Sequence, residues 1–176
     1  AHDGVLRFDI FEHPTRDDEA LLRIYSREAQ QLTAILPVVD NFGVVVLEQV
    51  AFELQPAHVA TLTVNTLRIQ RGAHDVVAQQ THLIDALRAV FGRKMRSDRF
   101  NRLQLVAGLT WQEVDLFRAL FHYSRQIGHQ LDPEIVQKVL LSHSDFVVLV
   151  AELWRTRFDP DSELDVAARD QLTAEV

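Results

Sequence analysis

The stretch LTAILPVVDNFGVVVLEQVAFEL, residues 32–54, changes its apolar spacing near its midpoint and so decides the fold. Its first half carries apolar side chains at the three- and four-residue spacing of an amphipathic helix, at Leu32, Ile35, Leu36 and Val39. Gly43 follows where a helix commonly ends in a left-handed residue, and Pro37 is tolerated best in a first turn, so we expect a helix that starts near Ala34. β-Branched residues followed by strict alternation predict a strand from Val44 to Leu54.

A hairpin is predicted ahead of this helix. Residues 5–12 and 22–27 both alternate apolar with polar side chains, and the polar residues 14–18 between them suit a turn. We therefore expect two antiparallel strands at the start of the chain.

A second strand and a second helix are predicted after the break at Gln55-Pro56. The strand runs from Val59 to Ile69, and a β-bulge at Asn65-Thr66 is expected to absorb a change in its apolar parity. Helical spacing of apolar residues then continues to Phe91, before Gly92. The order strand, strand, helix, strand, strand, helix predicts an α+β fold, with helices on one face of a mainly antiparallel sheet.

Beyond about residue 98 the pattern is purely helical. Capping signals mark the start of each helix. Asp98 precedes a short helix through Leu105 that closes at Gly108, and Thr110 with Glu113 forms a capping box before a helix that ends at Gly128. Asp132-Pro133 precedes the next helix, and Ser144 precedes a helix to Phe158. We expect an α+β domain over residues 1–95 and an all-α helical segment over residues 96–176.

The helix from Trp111 to Ile127 carries two apolar rows. One row consists of Val114, Phe117 and Phe121, and the other of Leu116, Leu120, Tyr123 and Ile127. Two rows predict burial over most of the circumference. This helix is therefore expected to contact its own neighbours and also the sheet domain or a domain outside this chain.

Composition and charge exclude several classes of function. The net charge of −7 opposes general binding to nucleic acid, and apolar runs such as Phe146 to Ala151 are far too short to cross a bilayer. The absence of Cys removes disulfides and zinc–thiolate sites, so a cytoplasmic location is expected. A local basic run could bind an anion or an acidic neighbouring domain, although a solvated linker face is the favoured interpretation: Arg93, Lys94, Arg96, Arg99 and Arg102.

A search for catalytic, cofactor-binding and metal-binding residues yields none. The six glycines lie too far apart for a dinucleotide fingerprint or a phosphate-binding loop. The pairs His74/His82 and His122/His129 lack the spacing of a zinc site, and adjacent His143-Ser144-Asp145 cannot converge as a triad. Because the chain starts without Met and stops within a helical pattern, we expect it to be a piece of a longer protein.

A family resemblance rests on the run FNRLQLVAGLTWQEV, residues 100–114, which continues to Arg118-Ala119 and to residues 123–126. This run resembles a stretch of the large bacterial NAD-dependent glutamate dehydrogenases. Residues 35–43 and 157–160 agree with the same family, so the resemblance spans roughly residues 21–160.

The resemblance implies an ACT-like module followed by a helical segment, both ahead of a catalytic domain that binds NAD. An ACT-like module is a βαββαβ fold, and we hypothesise that the strand at residues 5–12 takes the place of its fourth strand. The parent enzyme would oxidatively deaminate L-glutamate to 2-oxoglutarate and ammonia, while this segment would have a regulatory and architectural role. Implied partners are other domains and subunits of the parent, with an amino-acid effector as a further possibility.

Two alternatives remain open at this point. The chain could be a free-standing module that binds proteins or senses amino acids, with the helix near Trp111 as its partner surface. It could also be an independent enzyme, although no convergent polar site is visible in the sequence.

Overall fold

The computed structural model describes residues 6–27, 30–55, 61–158 and 169, which form a sheet with helices packed on it and a run of further helices. The strands are β1 (Arg7–His13), β2 (Arg16–Ser26), β3 (Val46–Leu54) and β4 (Leu62–Gln70). The α-helices are α1 (Leu32–Asn41), α2 (Gln80–Phe91), α3 (Arg102–Ala107), α4 (Trp111–Gln126), α5 (Pro133–Ser142) and α6 (Ser144–Phe158), with a 3-10 turn at Arg99–Asn101. The predicted α+β fold followed by helices is confirmed.

The four strands pair in the order β1-β2-β4-β3, and every pair is antiparallel. β1 and β2 form the predicted hairpin, with Phe8 opposite Ile24 and Ile10 opposite Leu22. β1 thus occupies the edge beside β2, which is the place that the last strand of a βαββαβ module would take. The hypothesis that the first strand substitutes for a fourth one is confirmed for the described part of that strand.

One face of the sheet is covered by α1 and α2. Phe8, Leu22 and Leu67 are at most 1% exposed on this helix-facing side, where they pack with α2 and α1. The opposite face, which we call the open face, carries apolar side chains that remain exposed, such as Phe52 at 56%. The alternation of side chains along β2 and β4 therefore separates a face that packs against helices from a face that no helix covers in the described residues.

The predicted bulge at Asn65-Thr66 is wrong, because β4 pairs there in unbroken register with both neighbours. The apolar parity changes because both faces of β4 are used. Val64 lies on the open face between its strand partners Tyr25 and Phe52, whereas Leu67 belongs to the helix-facing side. The irregularity of this strand pair lies in β3 instead, between Val46 and Glu48.

Most of the predicted caps are present. The Thr110 hydroxyl accepts a hydrogen bond from the Glu113 amide at 3.3 Å, and the Glu113 carboxylate accepts one from the Thr110 amide at 2.8 Å. Asp132 accepts from the Glu134 amide at 2.7 Å, and Gly108 ends α3 with a φ of +65°. These short-range signals are readable in a sequence because donor and acceptor lie within three residues of each other.

Two helix starts differ from the prediction. α1 begins at Leu32 and not near Ala34, so the exposed Pro37 lies in its interior, where it has no amide to donate within the helix. α6 begins at Ser144 itself, and the carbonyl of the preceding His143 accepts from the Val147 amide at 3.1 Å. Ser144 is therefore the first helical residue and not the cap.

A single apolar core continues from the sheet through α2 into the helices beyond residue 96. Its buried members include Leu22 of β2, Leu87 of α2, Leu103 of α3, Phe117 of α4 and Val147 of α6. α2 contacts the sheet on one side and both α3 and α4 on the other. The two predicted parts of the chain are thus packed on each other.

The two rows of α4 have different environments. Val114, Phe117 and Phe121 are buried, whereas Leu120, Tyr123 and Ile127 are 44%, 60% and 57% exposed. The prediction that α4 is buried over most of its circumference is therefore wrong for this chain by itself. None of the helices in the described residues is long and apolar enough to cross a membrane.

Candidate functional site: a buried arginine at the junction

A buried guanidinium lies where the sheet domain meets the helices. Arg118 of α4 is only 5% exposed, because its position on the helix places it beside the buried row of Val114, Phe117 and Phe121. Its Nε donates to Asp98 Oδ2 at 2.9 Å, and its Nη2 donates to Asp98 Oδ1 at 2.8 Å. This two-bond geometry is the strong form of an arginine–carboxylate pair.

The guanidinium of Arg118 makes further contacts with the α2–α3 connection and with its own helix. Nη2 also donates to Asn101 Oδ1 at 2.8 Å, and Nη1 pairs with Asp115 one turn earlier on α4. The guanidinium carbon lies 5.8 Å from the ring centroid of Phe100. Arg118 is therefore surrounded by the segment that connects α2 to α3.

Asp98 has a second role in this junction. Its Oδ1 accepts from the Phe100 amide at 3.1 Å and so caps the 3-10 turn that leads into α3. One carboxylate thus fixes the start of the helical segment and attaches it to α4. We call this arrangement, in which charge-assisted hydrogen bonds join the α2–α3 connection to α4, the Arg118 clamp.

Further polar groups are buried beside this clamp. Asn101 and Gln104 are both fully buried. Within the described part of the chain, the side-chain nitrogen of Asn101 and both polar side-chain atoms of Gln104 have no hydrogen-bond partner. No local sequence pattern identifies these residues. Arg118 is recognisable in the sequence, because helical spacing places this charged residue beside the apolar row of Val114, Phe117 and Phe121.

A second network lies on the open face of the sheet. Arg68 donates to both carboxylate oxygens of the buried Glu19 at 2.9 Å and to Glu48 at 3.0 Å. The hydrogen bond from Arg68 lowers the pKa of Glu19, against the opposing effect of burial, and Arg16 adds to the lowering. The same pairing with Glu19 raises the pKa of Arg68. These contacts join β2, β4 and β3 across the sheet.

The Glu19 network makes stability depend on pH. A carboxylate whose pKa is lower in the folded state stabilises the fold above its unfolded pKa, about 4.5, and loses that contribution as pH falls through the folded pKa. We expect wild-type stability to fall more steeply below about pH 4.5 than that of Glu19→Gln. Urea unfolding midpoints followed from about pH 7 to about pH 3 test this. Parallel pH profiles for the two proteins would contradict it.

The basic run overlaps the clamp, because Arg118 Nη2 donates to the Arg96 carbonyl at 3.5 Å and Arg99 lies between Asp98 and Phe100 in sequence. Nowhere in the described residues do three His, Asp or Glu side chains lie close enough to hold a metal ion. The Nδ1 of His143 lies 2.9 Å from the Val139 carbonyl within its own turn. Arg99 and Arg102 line an open groove of about 460 Å³ between α3 and α5, opposite Lys138 and Glu134.

Two family models match successive parts of the chain. The model described as "Glutamate dehydrogenase, ACT3 domain" matches residues 6–81, which include β1 to β4 and α1. The model described as "Glutamate dehydrogenase, helical motif 3" matches residues 95–160, which include Asp98 and Arg118. The clamp therefore lies within the second match, close to its beginning.

Curated relatives agree with these matches. The chain is 29% identical over 151 residues to the NAD-specific glutamate dehydrogenase of Mycobacterium tuberculosis, which covers 81% of this chain and 9% of that relative. It is 27% identical over 143 residues to the protein of the same name from Halomonas elongata, covering 79% and 9%. For Pseudomonas aeruginosa the identity is 30% over 130 residues, covering 72% and 8%. The chain therefore spans less than a tenth of the length of these relatives.

Proposed function

This chain belongs to the glutamate dehydrogenase family, where it corresponds to the ACT3 domain and helical motif 3, and on that premise we propose that it is a non-catalytic regulatory and architectural segment of a larger enzyme. The observation that carries the proposal is the shared apolar core, which extends from the sheet through α2 into α3, α4 and α6. Within the helical part, the Arg118 clamp ties the start of that part to α4. A core shared between two modules supports a role in positioning domains. We further propose that the chain divides near residue 95 into the two predicted parts.

The activity itself is assigned to the parent enzyme. The relatives are NAD-specific glutamate dehydrogenases, so the proposed parent reaction is oxidative deamination of L-glutamate to 2-oxoglutarate and ammonia, with NAD as the oxidant. The glycines of this chain lie too far apart to form the phosphate-binding turn of an NAD fold. NAD is therefore proposed to bind to another domain of the parent, in the cytoplasm, and the partners of this chain to be other domains and subunits of that enzyme.

A direct assay separates the segment from the parent. We expect no NADH from this chain with glutamate and NAD, and steady NADH formation, followed by absorbance, from the parent polypeptide. Turnover by the chain alone would overturn its non-catalytic role. A parent that does not oxidise glutamate would remove the proposed reaction.

The architectural role has its own test in the parent. Arg118→Met is expected to lower parent activity together with its thermal stability, whereas Arg155→Met, which removes a more exposed ion pair to Glu113, should change neither noticeably. If both variants had the same activity and the same thermal stability as each other, the proposed architectural role would be contradicted.

Amino-acid sensing is the second candidate, and one feature of the sheet favours it. Ser26, Thr63 and Asn65 are buried polar residues on the helix-facing side of β2 and β4. Asn65 Oδ1 accepts from Gln49 at 2.9 Å, while its Nδ2 has no partner among the described residues. A carboxylate oxygen would satisfy that donor. Titration calorimetry with glutamate, aspartate and arginine decides between the two: heat supports sensing, and its absence leaves the architectural role.

A further inference from the structure

The second apolar row of α4, in which the first residue is half-buried and the other three are exposed, has the geometry of a helix-docking seam. Leu116, Leu120, Tyr123 and Ile127, which we call the α4 seam, follow one another at spacings of four, three and four residues. This is the a/d spacing by which one helix packs along another. At about 100° per residue, the seam lies roughly 120° around the helix from the buried row of Val114, Phe117 and Phe121. The seam therefore points away from the core that α4 already contacts.

The residues beside the seam favour close approach of another helix. Ala119, Ser124 and Gln126 flank the seam without charge, and Glu113 is the charged residue of α4 that lies beside it. Small and neutral neighbours let a second backbone come near without leaving an ionic group unpaired. Glu113 is already paired with Arg155 of α6 at 2.6 Å, while Arg118 and Asp115 lie in the clamp.

The size of the seam decides which kind of partner it fits. α4 has 16 residues, so its length is about 24 Å, and four side chains on it present on the order of a few hundred Å². A stable complex between separate chains needs roughly 800 Å² from each partner. Within one polypeptide the effective concentration of a linked segment is high, so a smaller contact suffices.

The parent supplies such linked segments. The chain spans 9% of the length of its Mycobacterium tuberculosis relative, although the similarity covers 81% of the chain. We infer that the α4 seam is covered by an amphipathic helix from another part of the same parent polypeptide, packed lengthwise with its own a/d residues against Leu120, Tyr123 and Ile127. The inference rests on the proposed function, because it requires the chain to be part of a longer protein.

Photocrosslinking in the full-length parent tests the seam. Tyr123 is replaced by the photoreactive residue p-benzoylphenylalanine, the parent is irradiated, and the crosslinked peptide is sequenced by mass spectrometry. We expect an intramolecular crosslink to a segment whose apolar residues repeat at a/d spacing. The same replacement at His122, an exposed position of α4 about 130° away from the seam, serves as the matched control and is expected to give no such product.

Each outcome supports or overturns the inference. A crosslink between α4 helices of two copies would make the seam a subunit interface and overturn the proposed occupant. A crosslink to a non-helical segment, or no crosslink at Tyr123, would overturn it as well. The same replacement at Leu120 repeats the measurement if the first variant does not fold. Glutamate oxidation by the same parent sample is measured in parallel. A parent that oxidises glutamate but gives no crosslink contradicts only the proposed seam contact, whereas a parent that does not oxidise glutamate contradicts the proposed function.

Discussion

Arg118→Met lowers the free energy of unfolding of this chain by about 2–4 kcal/mol, because it removes the counter-charge of Asp98 and leaves Asp98 Oδ2 and Asn101 Oδ1 without their donor. Breaking a fully buried pair costs about 3–5 kcal/mol, and we discount that figure because the Asp98 side chain is 33% exposed. Urea unfolding followed by circular dichroism measures the loss.

A matched control separates this effect from the mere removal of an arginine. Arg155→Met removes an ion pair to Glu113 in which the arginine is 52% exposed, so we expect about 0–1 kcal/mol. Asp98→Asn combined with Arg118→Met should recover part of the loss, because an asparagine still caps the Phe100 amide without a buried charge. Equal losses in Arg118→Met and Arg155→Met would show that the clamp does not stabilise the fold.

Leu22→Ala in the sheet is expected to destabilise the distant helices as much as the sheet itself. Leu22 is 1% exposed, and truncation of a buried leucine costs about 2–5 kcal/mol. The core connects β2 through α2 to α3 and α4, so the loss should appear throughout the molecule. Both tryptophans, Trp111 and Trp154, lie in α4 and α6, so tryptophan fluorescence reports on the helical part alone.

The measurement compares two probes of the same transition. We expect the midpoints from tryptophan fluorescence and from far-ultraviolet circular dichroism to fall together in Leu22→Ala. Leu54→Ala, on the open face where Leu54 is 49% exposed, should change both midpoints far less. If fluorescence kept its wild-type midpoint in Leu22→Ala, the sheet domain and the helices would be independent units.

Both predictions concern contacts between parts of the chain that lie far apart in sequence, and these contacts are the ones that sequence patterns miss. The rows of α4 were visible in the sequence, but their burial was not, because Leu120 and Phe121 are equally apolar. Likewise, the parity change in β4 was interpreted as a bulge because a sequence does not show that both faces of a strand are used. The seam became recognisable only when one row proved to be exposed.

The sequence by itself determined the class of fold, the hairpin, the caps at Asp98, Thr110 and Asp132, and the resemblance to the glutamate dehydrogenases. These features depend on residues a few positions apart, where backbone geometry alone brings donor and acceptor together. Only the tertiary structure decided that the second apolar row of α4 is largely exposed and that Arg118 binds Asp98, twenty residues earlier. Such contacts form because packing of the whole core brings the residues together and excludes water. The spacing of residues along the sequence does not show which distant side chains will meet.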